Sequence, residues 1–453
     1  MSAVHHQDDL VTLHHGDCLD VLHALPDMSV DAVVTDPPYG LEFMGKEWDG
    51  ADGFRRSLNP NDVGRDNAFG RTSRTSPEYR TGRGARVLTE RADELTERGQ
   101  GHSTSAGPYL ASGVDSVRVA GRPFQEWCEA WSRECLRVLK PGGHMLAFGG
   151  TRTWHRLACA VEDAGFEMRD SLAWLYGSGF PKSHNLLDEN GDRTGWGTAL
   201  KPAFEPIVMG RKPLAGTVAA NVLAHGTGAL NIDGCRTSLD SAFDPSRLQR
   251  QSAATAGMGG IGGSGFSATH EQATYNAKGR WPANVVLDES QADVLDEQSG
   301  TLTSGKMLAG TKPKGERETY GQDAASGYET ARNTPADSGG ASRFFYVAKA
   351  DASERVRVDG IAHPTVKPLS IMRWLVRLVT PEGGTVLEPF AGSGTTVEAC
   401  ILEGFRCVAI EREADYLPLI QQRIHRRRDP VAAVKATGDD GGLFDLLNEE
   451  ESA

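Results

Sequence analysis

A short apolar run that ends at two prolines is the feature that most constrains the fold of this chain. The run Val30-Asp31-Ala32-Val33-Val34 is mostly apolar and β-branched, which is typical of a strand buried in a parallel sheet. Pro37 and Pro38 follow, and prolines cannot continue a sheet ladder because they lack an N–H donor. The run therefore predicts an open α/β sheet, in which ligands bind beyond the carboxyl ends of the strands. A plain strand-to-turn exit is the alternative interpretation.

The residues after this strand suit a flat partner that carries an amino group. Asp36 can accept hydrogen bonds from an amine, and the backbone of Pro37 and Pro38 offers carbonyls without N–H donors. Tyr39 can stack on a planar ring. We therefore take Asp36, Pro37, Pro38 and Tyr39 as the candidate catalytic residues.

A second unit, near the end of the chain, is typical of nucleotide binding. A predicted strand ends at Glu388, a glycine turn follows, a helix begins near Thr396, and the next strand, 406–411, ends at Glu411. Glycines let the backbone approach a ligand. Glu411, which lies 17 residues after Gly394, can accept hydrogen bonds from two ribose hydroxyls.

The form of this turn distinguishes between ligands. It lacks the Gly-x-Gly-x-x-Gly spacing with which a helix N-terminus receives a pyrophosphate. Glu388 and the shorter turn favour a ligand with an amino-acid end, such as S-adenosylmethionine, whose ammonium would meet the acidic end of the strand. On spacing alone, a nicotinamide dinucleotide is the alternative.

Two long stretches interrupt the pattern of strands and helices. The first, 41–122, holds eight arginines against three acidic residues between positions 53 and 89, a local net charge of +5 in a chain of net charge −13. It predicts a mobile arm that contacts phosphates, with a solvated linker as the alternative. The second, 214–342, is rich in Gly, Ser, Thr and Asn and predicts an inserted recognition region, with a partly ordered flexible insertion as the alternative. The candidate DNA-binding residues are Arg55, Arg56, Arg71, Arg74 and Arg280.

These stretches divide one predicted domain into two halves. Residues 11–213 form its N-terminal half, 343–428 form its C-terminal half, and 429–453 predict a disordered tail. The apolar patterns predict helices at 19–25, 124–138, 153–164 and 369–379, and a last helix that ends near 427. They predict further strands at 11–13, 144–148, 167–176, 204–209 and 343–349.

Cysteine usage and hydropathy bear on the compartment. The seven cysteines are scattered and form no Cys-x-x-Cys pair, which predicts reduced thiols and no metal site. The chain shows no signal peptide and no long apolar run. We therefore expect a soluble, cytoplasmic and nucleoid-associated protein without a membrane partner.

Two motifs and the segments around them resemble a known enzyme family. Asp36-Pro37-Pro38-Tyr39 together with Glu388-Pro389-Phe390-Ala391-Gly392-Ser393-Gly394 is similar to the motifs of the DNA amino-methyltransferases, which modify adenine N6 or cytosine N4. His363-Pro364-Thr365-Val366-Lys367-Pro368-Leu369 and Gly16-Asp17 resemble further segments of that family. The catalytic motif comes first and the cofactor loop last, a permuted order called the beta class. The matching blocks are 11–40, 123–213 and 343–427.

The resemblance implies a cofactor, S-adenosyl-L-methionine, and residues that hold it. Asp17 would lie near the cofactor's adenine, and Lys367 with Pro368 would lie near its methionine end. Glu388 stands where the family often has Asp, and its extra methylene would shift that contact. The cofactor residues implied in this way are Asp17, Asp36, Lys367, Pro368, Glu388, Pro389, Phe390, Gly392, Gly394, Thr395 and Glu411.

The resemblance also implies site-specific methylation of a DNA amino group. Asp36 and the Pro37 carbonyl would hold the target amine while Tyr39 stacks on the base. Adenine N6 is favoured because cytosine N4 enzymes of the family more often carry Ser in place of the Asp. Cytosine C5 is disfavoured because no Pro-Cys nucleophile is present.

The expected fold is α/β: a Rossmann-like methyltransferase domain with a mostly parallel sheet, helices on both faces and two long insertions. Alternatives to the adenine enzyme are an N4-cytosine enzyme, a non-catalytic DNA-binding protein of this fold, and an RNA or protein methyltransferase. The expected partner is double-stranded DNA. A homodimer and a cognate restriction enzyme, as in restriction-modification, stay open, as do solo and phage roles.

Overall fold

The structure is a computed structural model, and it describes residues 3–41, 49–58, 116–177, 179, 183, 185–187, 193–237, 279–304, 337–348 and 354–426. Most of the arginine-rich arm, with Arg71 and Arg74, lies outside these residues, as do the tail and much of the second insertion. The predictions made for those parts of the chain stay predictions.

A sheet of ten strands forms the centre of the described chain, beside two small two-stranded sheets. The strands are β1 Ala3–Gln7, β2 Val11–His15, β3 Val30–Thr35, β4 Leu139–Phe148, β5 Glu167–Leu175, β6 Asn185–Leu187, β7 Arg193–Gly197, β8 Phe204–Arg211, β9 Val285–Asp288, β10 Leu302–Ser304, β11 Asp337–Gly339, β12 Tyr346–Ala348, β13 Thr385–Glu388 and β14 Arg406–Glu411. The order across the large sheet is β1-β2-β14-β13-β3-β4-β8-β5-β9-β12.

The pairing of these strands brings several carboxyl ends together. Strands β2, β14, β13, β3 and β4 are parallel neighbours. Strand β8 is antiparallel to both β4 and β5, so β5, β9 and β12 again run in the direction of β3. We call the end of the sheet where β3 and its parallel neighbours finish the carboxyl edge. This is the edge at which open α/β sheets bind their ligands.

Helices cover both faces of the sheet. They are α1 Cys18–Ala24, α2 Ala51–Leu58, α3 Ser116–Val138, α4 Trp154–Asp163, α5 Val218–His225, α6 Glu289–Ser299, α7 Leu369–Val379, α8 Thr395–Glu403 and α9 Leu417–Arg426. Alternate residues of a strand point to opposite faces. Ala32 and Val34 accordingly pack with α7, α8 and α9, whereas Val33 packs with α1 to α4. Within the described ranges, no helix is both long and apolar enough to cross a membrane.

The predicted fold class is therefore confirmed, because the chain forms an α/β structure around a large, mostly parallel sheet. The strand predicted before the two prolines forms as β3, and helix α7 has the predicted ends, Leu369 and Val379. Strand β14 also has the predicted ends, Arg406 and Glu411, and β13 ends at Glu388 as predicted. The other predicted strands and helices of the two halves occur with shifted ends, except the one predicted at 343–349.

Helix α2 was not predicted. The 41–122 stretch was expected to lack regular structure, yet α2 forms within it, and α3 begins at Ser116 before the predicted start. The sequence of α2 contains Gly53, which disfavours a helix. Tertiary packing outweighs this local preference, because Phe54 is buried against the rings of Phe124 and Trp127, with ring centroids 5.5 and 4.8 Å away.

The second insertion also contributes to the large sheet. Strand β9, inside the predicted recognition region 214–342, pairs in parallel with β5 and with β12. The predicted strand at 343–349 is a 3₁₀ turn, Ala341–Phe344, followed by the short strand β12. A strand of four residues such as β9 is recognisable only once a neighbouring strand pairs with it. Its short apolar run alone could equally belong to an ordered segment of a loop.

Candidate active site

Four polar side chains meet at the carboxyl edge just beyond β3, and we call them the Asp36 cluster. The Nζ atom of Lys367 lies 2.7 Å from Asp36 Oδ2 and 3.1 Å from Glu205 Oε2. The hydroxyl of Tyr39 lies 2.8 Å from Asp36 Oδ1, 3.0 Å from Glu205 Oε2 and 3.0 Å from Lys367 Nζ. The acid and ring next to the prolines thus meet a lysine that is 331 residues away in the sequence.

The charges of the cluster determine the protonation states of Lys367 and Tyr39. Burial opposes the charge on Lys367, but the carboxylates of Asp36 and Glu205 outweigh burial and hold the pKa of Lys367 above its ordinary value. Burial, together with the same two carboxylates, raises the pKa of Tyr39 well above its ordinary value. Lys367 is therefore an ammonium and Tyr39 a neutral phenol at neutral pH.

The backbone around Tyr39 is held by neighbouring loops. The Thr153 hydroxyl donates to the Tyr39 carbonyl over 2.7 Å. Gly150, just beyond β4, lies so close that a Cβ there would stand 3.0 Å from the Tyr39 ring. The buried carboxylate of Asp49 accepts from the backbone N–H of Gly40 over 2.6 Å. The Asp-Pro-Pro-Tyr turn is thus positioned before any ligand arrives.

Glu388 at the end of β13 joins the two predicted motifs. Its buried carboxylate accepts from the hydroxyl of Thr35, the residue before Asp36, and from the hydroxyl of Thr396 on α8. It also accepts from the backbone N–H of Phe390 over 3.0 Å. Burial outweighs these hydrogen bonds and raises the pKa of Glu388 to about 8. Glu388 therefore ties β13 to β3, a role that was not expected from the sequence.

Glu411 lies at the end of β14, beside the glycine turn. One carboxylate oxygen accepts from the Gly392 N–H and the other from the Glu413 N–H, each over 2.7 Å. Burial raises the pKa of Glu411 to about 7, against the effect of these two donors. A carboxylate oxygen can accept more than one hydrogen bond, so each retains capacity for a hydroxyl donor.

The turn between Glu388 and α8 requires glycine for steric reasons. Gly394 has φ +82°, and a Cβ there would stand 3.1 Å from the backbone of Ile420 on α9. The positive φ and the close contact both disfavour any other residue at this position. Pro389 and Thr395 are buried on either side of the turn, and the Thr395 hydroxyl is 3.1 Å from that of Ser393.

An aromatic wall flanks the turn. The ring of Phe390 lies 5.3 Å from that of Trp127 and 5.4 Å from that of Trp131, both on α3. Phe54 from α2 stacks on Trp127 at 4.8 Å. Phe390 itself is only partly buried. The wall therefore packs Phe390 against α3, which was predicted, and α3 in turn against α2, which was not.

Asp17 at the end of β2 has two functions in the local structure. Its side chain accepts from the backbone N–H of Leu19 over 3.0 Å, so it caps α1. It also accepts from the Ser57 hydroxyl on α2, over 2.9 Å to Oδ1 and 2.8 Å to Oδ2. The hydroxyl of Ser57 in turn lies 3.3 Å from Trp127 Nε1. Asp17 thus connects α1, α2 and the aromatic wall.

The structure brings most predicted site residues to the carboxyl edge in two adjoining groups. Asp36, Tyr39 and Lys367 form one, with Pro37 buried and Pro38 half-buried behind them. Pro368, directly after Lys367, is the N-cap of α7. The second group comprises Asp17, Glu388, Pro389, Phe390, Gly392, Gly394, Thr395 and Glu411.

The predicted DNA-binding arginines that the structure describes lie in different parts of the fold. Arg55 and Arg56 lie on α2, and Arg56 is exposed. Arg280 precedes β9 and therefore lies toward the amino ends of the strands, away from the Asp36 cluster. Its guanidinium donates to the carbonyl of Arg343 over 3.2 Å and lies 5.5 Å from the Phe344 ring. Nothing in this geometry places Arg280 beside the Asp36 cluster.

Sequence reasoning missed three residues of this region. Glu205 is the second residue of β8 and directly precedes its six buried residues, and an acid in that position was the available signal. Ser57 lay in the stretch without a strand or helix pattern. Arg423 is a fully buried cation on α9 that donates to the Ser393 carbonyl over 2.8 Å, and the apolar pattern of α9 did not distinguish it from a surface arginine.

Among solved structures, the chain is similar to M1.HpyAVI, with 13% identity, a TM-score of 0.34 and coverage of 92% of this chain and 99% of that one. It is also similar to the PvuII cytosine-N4-specific DNA methyltransferase, with 11% identity, a TM-score of 0.41 and coverage of 92% and 87%.

Sequence comparison finds a curated relative over most of the chain. The Type II methyltransferase M.HindIII of Haemophilus influenzae is 25% identical over 399 residues, which are 85% of this chain and 86% of the relative. M.SmaI of Serratia marcescens is 42% identical over 67 residues, 15% of this chain and 23% of the relative. The profile of the N6_N4_Mtase family, described as DNA methylase, matches residues 120–422. The resemblance seen in the motifs is thus confirmed, and the chain belongs to the N6/N4 family of DNA methylases.

Proposed function

We propose that this protein transfers a methyl group from S-adenosyl-L-methionine to the exocyclic N6 of adenine in duplex DNA. The observation that carries the proposal is the link from Glu388 to Thr35, because it holds the glycine turn of β13 beside the Asp-Pro-Pro-Tyr turn of β3. A methyl donor bound at the first turn and an amine bound at the second would therefore be neighbours. Such positioning supplies much of the rate of a transfer reaction.

The residues at the end of β14 and β13 suit S-adenosyl-L-methionine, the cofactor of this family. Glu411 can accept from ribose hydroxyls with the lone pairs that Gly392 and Glu413 leave free. The partly exposed ring of Phe390, backed by Trp127, offers a flat apolar surface to an adenine. When bound, this cofactor supplies a methyl group from a sulfonium sulfur. The sulfur keeps the electron pair of the broken S–C bond and becomes a neutral thioether.

The Asp36 cluster suits the other reactant. An exocyclic amine is a weak nucleophile because its lone pair is delocalised into the ring. Hydrogen bonds from that amine to Asp36 and to the Pro37 carbonyl favour a pyramidal nitrogen, and the carboxylate stabilises the positive charge that develops as the N–C bond forms. The methylated nitrogen then loses one proton to solvent. Tyr39 can stack on a base taken out of the duplex and so recover part of the cost of unstacking it.

The choice of adenine rests on one side chain. Asp36 is the acid that the resemblance associates with adenine enzymes, where cytosine N4 enzymes more often have Ser. M.HindIII, which matches 85% of this chain, is named as a Type II methyltransferase, and this name favours a role in restriction-modification. The second candidate function is cytosine N4 methylation, the other reaction of the N6/N4 family to which the chain belongs.

The test is product analysis with the full-length protein. Duplex DNA is incubated with protein and isotope-labelled S-adenosyl-L-methionine, digested to nucleosides and resolved by mass spectrometry. N6-methyladenine is expected, whereas N4-methylcytosine would overturn the choice of base. Asp36→Ala should abolish transfer and largely retain DNA binding, and transfer at the normal rate in that variant would refute the assignment of Asp36. RNA competitor tests the alternative substrate class.

A further inference from the structure

We propose that Glu205 is a further positioning residue of this active site, which receives the ammonium of Lys367 when the target amino group displaces it from Asp36. This inference rests on the proposed function, because it takes Asp36 as the acceptor of the target amine. Glu205 belongs to none of the motifs that carry the family resemblance and was not recognised from the sequence.

The geometry shows that Lys367 occupies the place of an amine. Its Nζ is surrounded by three acceptors, Asp36 Oδ2 at 2.7 Å, the Tyr39 hydroxyl at 3.0 Å and Glu205 Oε2 at 3.1 Å. An ammonium has three N–H donors, so these contacts satisfy it completely. The lysine side chain is 9% exposed, whereas that of Asp36 is 24% exposed. A target amine that reaches Asp36 must therefore share or replace the contact that Lys367 now makes.

Electrostatics requires that the ammonium move away from Asp36 during the reaction. The attacked nitrogen gains positive charge as the methyl group arrives, and a second cation held on the same carboxylate opposes that charge. Expelling a buried ammonium without a partner would be costly. Glu205 removes this difficulty, because its carboxylate already lies at contact distance from Lys367 and can keep the cation after Asp36 is released.

The surroundings of Glu205 support this role. It is the second residue of β8, and the antiparallel pairing of β8 with β4 brings this start of β8 to the carboxyl edge, where Glu205 contacts Lys367. Its carboxylate is 20% exposed, and within the described chain it pairs only with Tyr39 and Lys367. A carboxylate that served the fold alone would not need both of its partners to be members of the Asp36 cluster.

A double-mutant cycle tests the proposal by single-turnover methyl transfer with saturating labelled cofactor. Glu205→Gln should lower the rate about tenfold or more, because the ammonium then stays on Asp36. Lys367→Met should also lower it, because two carboxylates are left facing each other. The variant with both changes should regain about tenfold over Glu205→Gln, because no cation then needs a second partner. Glu162→Gln, an exposed acid on α4, is the matched control and should retain the wild-type rate.

Two results would overturn the proposal: a wild-type rate in Glu205→Gln, or a double variant whose loss is the product of the two single losses. A merely structural role of Glu205 would give that second result, since removing Lys367 would not restore the fold. Thermal unfolding and cofactor binding verify that each variant is folded, and Lys367→Gln replaces Lys367→Met if the latter is not. Failure of the proposed function is distinguishable, because wild-type protein would then transfer no methyl group to DNA.

Discussion

The guanidinium of Arg423 donates from Nε to the backbone carbonyl of Ser393 over 2.8 Å and so joins the last helix to the glycine turn. Both Arg423 and its ion-pair partner Glu398 on α8 are fully buried. The same guanidinium donates to the carbonyl of Glu354 over 2.6 Å, in the segment that leads to Lys367. One buried cation thus supports both the candidate cofactor turn and the approach to the Asp36 cluster.

Replacing this cation should destabilise the fold strongly. Arg423→Met removes the buried ion-pair partner of Glu398 and the hydrogen bonds that the guanidinium donates to the Ser393 and Glu354 carbonyls, so we expect a loss of about 3–5 kcal/mol in the free energy of unfolding. Urea unfolding measures it. The matched control is Arg426→Gln, which removes the partly exposed partner of the same carboxylate and should cost about 1 kcal/mol. Equal losses in the two variants would contradict this assignment.

The buried acid Glu388 should make stability depend on pH. Its folded-state pKa of about 8 lies above its ordinary value of 4.5, so the folded protein binds more protons than the unfolded chain between these values. The free energy of unfolding should therefore fall as pH rises from about 5 to 9, by at most about 1.4 kcal/mol per pH unit. Glu388→Gln, which cannot ionise, should reduce this fall.

Denaturant unfolding between pH 5 and 9 measures the effect for both proteins. Glu382→Gln, at an exposed position three residues before β13, is the control and should unfold with the wild-type pH dependence. A Glu388→Gln variant that loses stability with pH as steeply as the wild type would show that Glu388 is ionised throughout in the folded protein.

Glu411 should make cofactor binding weaken in acid. Hydroxyl donors favour the ionised carboxylate, whose pKa is raised to about 7 by burial. The dissociation constant of S-adenosyl-L-methionine should therefore rise as pH falls from 8 to 6, approaching about tenfold per pH unit below the pKa. Calorimetric titration at several pH values measures this. Glu411→Gln should bind about tenfold or more weakly at pH 8, and its affinity should be nearly independent of pH.

The unpredicted helix α2 should matter for stability and for cofactor affinity. Phe54→Ala leaves a cavity beside Phe124 and Trp127 and should cost about 3–5 kcal/mol. Cofactor affinity should fall in parallel, since Ser57 on the same helix holds Asp17. Leu58→Ala, at an exposed position of α2, should cost about 0.5 kcal/mol or less. Denaturant unfolding and cofactor titration of both variants measure these effects. Unchanged stability and cofactor affinity in Phe54→Ala would show that α2 is not part of the site.

Several elements could be predicted because their signals are local. The run before Asp36 and the run 385–388 are short, apolar and closed by prolines or glycines, so each predicts a buried strand by itself. Helix α7 was predicted with its observed ends because its apolar residues recur at helical spacing and Pro368 precedes them. Residues that follow such strands could be assigned to the carboxyl edge without any knowledge of the strand order.

Other features depended on partners far away in the sequence. Helix α2 contains a glycine and forms because Phe54 is buried by α3, and strand β9 is recognisable only through its pairing with β5. Glu205 comes to the Asp36 cluster because β8 runs antiparallel to β4, which brings the start of β8 to the carboxyl edge. A strand's direction in a sheet is not encoded in its own apolar pattern.

The sequence by itself determined the fold class, the family resemblance and the two turns that carry the chemistry, because strand ends, prolines and glycines act through local backbone geometry. Only the tertiary structure decided how those turns are joined. It turned Glu388 toward Thr35 and Thr396, and it placed Lys367 between Asp36 and Glu205. Burial and charge act between residues that are hundreds of positions apart, so the partners of an ionised group become known only when the chain has folded around it.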